Sequence, residues 1–256
     1  RRHPVAEGGA VPLTLLAVSD LHLGMKFAGL PDVQAVLSEA RFACLERVVA
    51  LANTRRVDLL VVAGALFHQA GAAKRDVLRA AAHLRAFEGR LVAVLPGNHD
   101  HLSAGQDPLW PVLRDAGGDR LLVLDEPRPY ALAHFDLDAC LYPGPCRRKH
   151  SAESAVGWVT PSALVAGVRH HLGVAHGSLA GVSPDLDGSY YPMREEDLAA
   201  AGPAAWVVGH THLRWPARPG AASRVFIPGT PEPDGYDCDH PGGAWLLRLD
   251  DGGVAA

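Results

Sequence analysis

Four short stretches of this 256-residue chain carry side chains suited to holding a divalent cation. Asp20-Leu21-His22 sets a carboxylate and an imidazole two residues apart, a spacing that can turn both toward one ion in extended backbone. Gly97-Asn98-His99-Asp100 places an amide, an imidazole and a carboxylate in a row. His176 precedes Gly177, and Gly209-His210-Thr211-His212 adds two more imidazoles. Each stretch alone has a plainer reading: Asp20 as a turn cap with His22 on the surface, or residues 97–100 as an ordinary polar turn. Together they offer several imidazoles, a carboxylate and an amide. That mixed nitrogen and oxygen set suits Mn²⁺, Zn²⁺ or Fe²⁺ better than Ca²⁺. The chain holds 14 histidines, which strengthens the metal reading.

Every one of these stretches follows an apolar run that reads as a strand. Residues 13–18 end at Asp20, and residues 91–95 end at Pro96-Gly97, a turn signal. Residues 172–175 end at His176 and residues 206–208 at Gly209. A further buried run, 57–62, ends in Ala63-Gly64-Ala65-Leu66-Phe67-His68. Helical periodicity over 32–52 and 75–87 separates the first three runs. The order strand, helix, strand, helix, strand predicts a doubly wound α/β layer with parallel strands buried on both faces. In open α/β sheets ligands bind beyond the carboxyl ends of the strands, where the candidate residues fall. A helix is expected over 109–115. Shorter strands of a second sheet are expected at 121–124, 130–133 and 137–142, then a helix over 162–171. Closing strands are expected at 224–227 and 244–249, with turn-rich chain over 228–243.

Composition narrows the class. Hydrophobic residues make up 48% and charged residues 20%, which fits a globular protein with an ample core. The net charge of −4 supplies no global basic field for nucleic acid, although a local patch or bound cations can stand in for one. Arg147, Arg148 and Lys149 form such a patch within residues 143–150, read either as a solvated turn or as a phosphate-backbone contact. The cysteines Cys44, Cys140, Cys146 and Cys238 form no C-x-x-C pair and read as reduced thiols, with a Cys140–Cys146 bridge as the lesser reading. No membrane span and no signal peptide are seen, residues 1–9 are expected to be loose, and the expected location is cytoplasmic. No linker divides the chain, so one domain over 1–256 without a capping domain is expected.

In this order, Asp20-x-His22, Gly97-Asn98-His99-Asp100, His176-Gly177 and Gly209-His210-x-His212 resemble the signature of the calcineurin-like metallophosphoesterases. Within that superfamily, Ser19-Asp20-Leu21-His22-Leu23-Gly24, Ala63-Gly64-x-Leu66-Phe67-His68 and residues 227–233 are similar to the Mre11/SbcD-like DNA nucleases. The resemblance implies an α/β fold, a four-layer α/β/β/α sandwich of two mixed sheets with two metals at the sheet rim. Asp20, His22 and His212 would hold the first ion and Asn98, His176 and His210 the second, with Mn²⁺ preferred over Zn²⁺, Fe²⁺ or Mg²⁺. The implied reaction is phosphodiester hydrolysis, in which the ions polarise the phosphate and activate a water for in-line attack. His99 would protonate the leaving oxygen, Asp100 would orient His99, and His68 would contact the substrate phosphate. The implied partners are single- or double-stranded DNA in repair and an SMC-type ATPase. Such nucleases usually continue into DNA-capping and ATPase-docking segments, and this sequence ends at Ala256.

One residue departs from the family pattern. Where the family carries the aspartate that bridges the two ions, this chain has Ala65. Two dications about 3.5–4 Å apart need shared anionic ligands to offset their repulsion. Weakened metal binding is therefore expected, most of all at the second site, which is left with neutral donors. The rest of the motif is intact, which favours a deliberate change made to trap an inactive form over natural degeneration. Three functions are carried forward: a DNA nuclease crippled by Ala65, a phosphodiesterase or phosphatase acting on small molecules, and a catalytically silent binding or regulatory module.

Overall fold

The computed structural model describes residues 11–103, 108–220, 222–233, 240–251 and 253–256. Strands β1 (Leu13–Val18), β2 (Leu59–Ala63) and β3 (Leu91–Leu95) are built almost wholly from Leu, Val and Ala. All but Thr14 of these residues are buried. Continuous burial without alternation is what a parallel strand covered on both faces requires. The three pair in parallel, Leu15 opposite Leu59 and Leu59 opposite Leu91. Helices α1 (Gln34–Thr54) and α2 (Lys74–Arg85) make the crossovers. They bury Phe42, Leu45 and Val49, and Val77, Ala81 and Leu84, against one face of this sheet.

The run at 121–124 departs from expectation. It forms β4 (Leu121–Val123), which belongs to the first sheet, with Leu121 paired in parallel to Val92. The cause is α3 (Leu109–Gly117), whose Leu109, Trp110 and Leu113 pack into the same apolar layer as α1 and α2. A crossover on that face returns the chain beside β3. Two antiparallel strands, β10 (Trp245–Asp250) and β11 (Gly253–Ala255), extend the opposite edge. The resulting order is β11-β10-β1-β2-β3-β4.

The second sheet comprises β5 (Tyr130–Ala131), β6 (Ala139–Gly144), β7 (His170–His176), β8 (Ala205–Gly209) and β9 (Val225–Phe226), in that order, with β6 to β9 parallel. Its inner face meets the first sheet through Leu141, Leu172, Val174 and Val207 against Leu15, Val61, Leu91 and Ala93. Its outer face is covered by Val156, Val159 and the short helix α4 (Glu195–Ala200), packed around Trp206. The layering is the four-layer α/β/β/α sandwich of two mixed sheets that the family resemblance implies.

The helix expected over 162–171 is absent. Gly167 is left-handed (φ 79°), only Pro161–Ala163 make a 3₁₀ turn, and β7 has already begun pairing at His170. Helix α4 and strand β11 had no warning in the sequence, because six and three residues are too short to show a period. Cys44, Cys140 and Cys146 are buried free thiols, so no Cys140–Cys146 bridge forms. Cys238 and residues 1–9 lie outside the described residues. Among the described residues no helix is long and apolar enough to cross a membrane.

Candidate metal centre

The carboxyl ends of β1, β2 and β3 meet those of β7 and β8 along one rim. Backbone hydrogen bonds tie the loops together there: Asp20 N–H donates to the Gly64 carbonyl, His22 N–H to Ala65, and Leu23 N–H to Leu66. Asp20, His22, Ala65 and His210 all adopt positive φ (56°, 48°, 49° and 96°), a conformation that costs non-glycine residues energy and clusters where function over-determines the backbone. The two sheets touch at this rim because two positions lack a side chain. A Cβ on Gly64 would fall 2.2 Å from His176 Nδ1, and one on Gly209 would fall 2.0 Å from the Ala63 carbonyl oxygen.

Asp20, His22 and His212 present ligand atoms that all lie within 4.8 Å of one another. The Asp20 Oδ1 atom is 3.8 Å from His22 Nε2, 3.7 Å from His212 Nε2 and 4.0 Å from His176 Nε2. Its Oδ2 accepts the backbone N–H of His210 at 2.9 Å. His22 Nε2 and His212 Nε2 approach to 3.3 Å. Two metal–nitrogen bonds of about 2.1 Å diverging at a tetrahedral angle separate their donor atoms by roughly 3.4 Å, so this spacing fits one shared ion. Burial works against ionisation of Asp20. The neighbouring imidazoles of His212, His176 and His22 outweigh it and hold the carboxyl below its usual range. Burial also lowers the pKa of His22 and His176, and takes His210 down to about 4, leaving neutral rings with lone pairs for a cation.

The second trio is assembled beside the first. His176 Nδ1–H donates to the Ala63 carbonyl at 2.8 Å, which fixes the tautomer and turns Nε2 toward the rim. That Nε2 faces Asn98 Oδ1 at 2.9 Å. Two lone pairs aimed at each other are unfavourable unless a cation lies between them or the amide turns, so the donor set fits a metal. His210 lies 5.6 Å from His176, ring centre to ring centre. His101 Nδ1–H donates to the Asn98 backbone carbonyl at 3.1 Å and so supports the loop that carries the amide.

His99 stands against this centre, its ring 4.6 Å from that of His22 and nearly perpendicular to it. Its orientation does not come from Asp100, which corrects the expected role. His99 Nδ1–H donates to the His68 carbonyl at 3.0 Å. The Asp100 carboxylate instead accepts the backbone N–H groups of Gly97 (2.7 Å) and Phe67 (2.9 Å), tying the β3 tip to the β2 loop. Burial pushes its carboxyl up to about 7 although these N–H groups pull the other way. Asp100→Ala would leave both buried N–H groups without their acceptor, at a cost of about 2–4 kcal/mol and a Tm lower by roughly 5–15 °C. Asp100→Asn keeps one acceptor and should lose about half as much. Thermal melts of the metal-free proteins check this, and an unchanged Tm for Asp100→Ala would refute it.

His68 completes the cluster, 5.5 Å from His22 and 5.3 Å from His99 between ring centres. Ala65 is fully buried in the β2 loop, with its carbonyl bonded to His22 N–H. Arg147, Arg148 and Lys149 are exposed beyond β6. Arg147 and Arg148 line a cavity of about 600 Å³ with His150, Ser189 and Tyr191. Tyr190 links that side to the centre, its ring 4.7 Å from His150 and 4.8 Å from His210. Tyr190 carried no sequence signal. Thr230 did lie in a quoted motif: its hydroxyl is 3.0 Å from the Asp20 carbonyl, beside the Ser19 hydroxyl that donates to Gly229.

The layered sheets and the histidine-rich rim with its ligand cluster fit the metallophosphoesterase class of fold. The family model for calcineurin-like phosphoesterases matches residues 13–214, and the chain belongs to that family. Among curated proteins it is 28% identical over 216 residues to the uncharacterized metallophosphoesterase YhaO of Bacillus subtilis, covering 79% of this chain and 49% of that protein. The chain thus spans about half the length of that relative. Among solved structures, the calcineurin-like phosphoesterase YfkN of Bacillus subtilis superposes with a TM-score of 0.51 at 15% identity, covering 96% of this chain and 88% of that one. A dimetal phosphatase from Danio rerio gives 0.50 at 12% identity, covering 93% of each. At these identities the structural likeness speaks to the fold.

Proposed function

We propose that this chain is the catalytic unit of a metal-dependent phosphodiesterase acting on DNA strands, held at low turnover by Ala65. The observation that carries the hydrolytic reading is the His99 imidazole, oriented by the His68 carbonyl and set edge-on to His22 of the Asp20–His22–His212 cluster. Asp20, His22 and His212 would hold one divalent ion, Mn²⁺ by preference, and Asn98, His176 and His210 the other. Bound there, such ions supply charge neutralisation at the phosphate and a more acidic water.

The chain's own residues do the rest. Burial holds His99 below the usual histidine pKa, so in the substrate-free site the ring is neutral with Nδ1–H committed to His68. The arriving phosphate's negative charge would raise that pKa, so that Nε2 takes a proton and delivers it to the leaving oxygen. His68, beside His99, would hold a phosphate oxygen, and Arg147, Arg148 and Lys149 would meet the strand further along. DNA repair is the process this reading serves, with an SMC-type ATPase as protein partner. It also places the protein in the cytoplasm, where the three described cysteines stay reduced.

A second reading, a small phosphodiester or nucleotide as substrate, is favoured by the net charge of −4 and by acidic Glu153 and Asp187 in the cavity that Arg147 and Arg148 line. Ala65→Asp protein supplied with Mn²⁺ separates the two. Cleavage of oligonucleotides over bis(p-nitrophenyl) phosphate supports the DNA reading, and the reverse order supports the small substrate. No hydrolysis of either would leave a binding or regulatory module. In the Ala65→Asp background, His99→Ala is expected to lower kcat by about 100-fold with little change in bound metal. Equal loss of metal and rate would show that His99 is not the proton donor.

A further inference from the structure

The rim carries a second ligand cluster, which shares only His22 with the ligands of the two-ion scheme. His22, His68 and His99 each present a ring nitrogen, and the three nitrogens lie within 4.8 Å of one another. They come from the tips of three adjacent parallel strands, β1, β2 and β3. The backbone fixes their relative positions. His68 N–H donates to the Leu23 carbonyl at 3.0 Å, and Leu23 bridges Phe67 in parallel register, so the loops bearing His22 and His68 move as one. The His68 carbonyl in turn holds His99. Three imidazoles are thereby set in place before any ligand arrives.

A second observation points the same way. His22 is only 2% exposed, yet its Nδ1 has no hydrogen-bond partner among the described residues. A buried nitrogen without a partner costs about 1–3 kcal/mol, which a coordinated cation would relieve. His68 and His99 are half-buried, so the cluster opens to solvent on their side and leaves room for a fourth, exchangeable position. Three imidazoles with an open position suit a borderline transition ion and offer nothing to Mg²⁺ or Ca²⁺, which want oxygen ligands.

We propose that His22, His68 and His99 form a binding site for a borderline divalent transition ion, Zn²⁺ foremost, which takes His99 out of proton transfer. The site is a metal trap built from the residues that would otherwise serve the substrate. The absence of a carboxylate at Ala65 favours it, since the neighbouring centre has only Asp20 to compete for the ion. This inference concerns metal binding and stands whether or not the protein hydrolyses DNA.

Co²⁺, a spectroscopic stand-in for Zn²⁺, gives the test. His212→Ala dismantles the Asp20 cluster and spares the three histidines. That protein is expected to bind Co²⁺ with a visible absorption band that excess Mg²⁺ does not remove and Zn²⁺ does. Adding His68→Ala or, separately, His99→Ala should weaken this binding by at least ~10-fold and abolish the band. Circular dichroism verifies that each protein is folded, and His68→Gln replaces any alanine variant that is not. If the His212→Ala protein binds no Co²⁺, or binds it equally well with His68 and His99 removed, the proposal is wrong.

Discussion

Ala65→Asp is expected to raise Mn²⁺-dependent phosphodiester hydrolysis by ~100-fold or more, a larger gain than any other single change to this chain should give. The backbone at this position is already suited to the replacement. Ala65 sits at φ 49°, a left-handed conformation that disfavours alanine by roughly 1 kcal/mol and that aspartate tolerates through local hydrogen bonding. The position is fully buried, so the new carboxylate would be desolvated. Without metal, a buried anion beside Asp20 should lower Tm, and saturating Mn²⁺ should reverse the loss. The signature is therefore a crossing: the variant is less stable than the parent without metal and more stable with it. Melts with and without Mn²⁺, together with metal stoichiometry, read this directly. Equal metal content in the two proteins would show that Ala65 is not what limits ion binding.

The second large effect is expected from Asp20→Asn. Asp20 is the sole carboxylate in its ligand cluster, and its Oδ1 lies 4.0 Å or less from nitrogens of His22, His176 and His212. The amide keeps the shape, and its oxygen can still accept the His210 N–H that now bonds Oδ2. Only the charge is lost. Mn²⁺ affinity at this cluster should fall by more than ~100-fold while the apo fold is retained. An ion at 100 times its Kd stabilises the folded state by about 2.7 kcal/mol, or roughly 5–10 °C in Tm for a chain of this size. Asp20→Asn should abolish that metal-dependent shift and lower the metal-free Tm modestly, because the fold favours the ionised carboxyl. A full metal-induced shift in the variant would place the ion elsewhere, the three-histidine cluster being the first location to examine.

Much of this architecture is readable in one dimension because its strands are buried on both faces. Residues 13–18, 59–63 and 91–95 contain almost nothing polar, and each ends where a ligand-type side chain begins. What the sequence hid was governed by contacts remote in the chain. The membership of β4 in the first sheet depends on which face α3 packs against, and no property of residues 121–123 encodes that. The placing of Asp100 is of the same kind. Adjacency in sequence made it the natural partner of His99, but its carboxylate turns back to Gly97 and across to Phe67, where two buried N–H groups require an acceptor. Tyr190 was invisible because stacking on His210 needs only a ring and a fold that brings two distant loops together.

The contact at Gly64 and Gly209 has a mechanical consequence. With the Ala63 carbonyl bonded to His176 and no room for a Cβ on Gly209, the sheets are pinched together at the rim and spread apart by full-sized side chains such as Leu15, Leu91, Leu141 and Leu172 behind it. The sandwich works as a pair of tongs whose jaws are the ligand strands and whose handles are the inter-sheet core. Shaving a leucine from the handles, far from any ligand, should let the jaws drift and loosen the grip on an ion. Conversely, an ion held between the jaws would rivet the two sheets and tighten the hold on the leucines behind it.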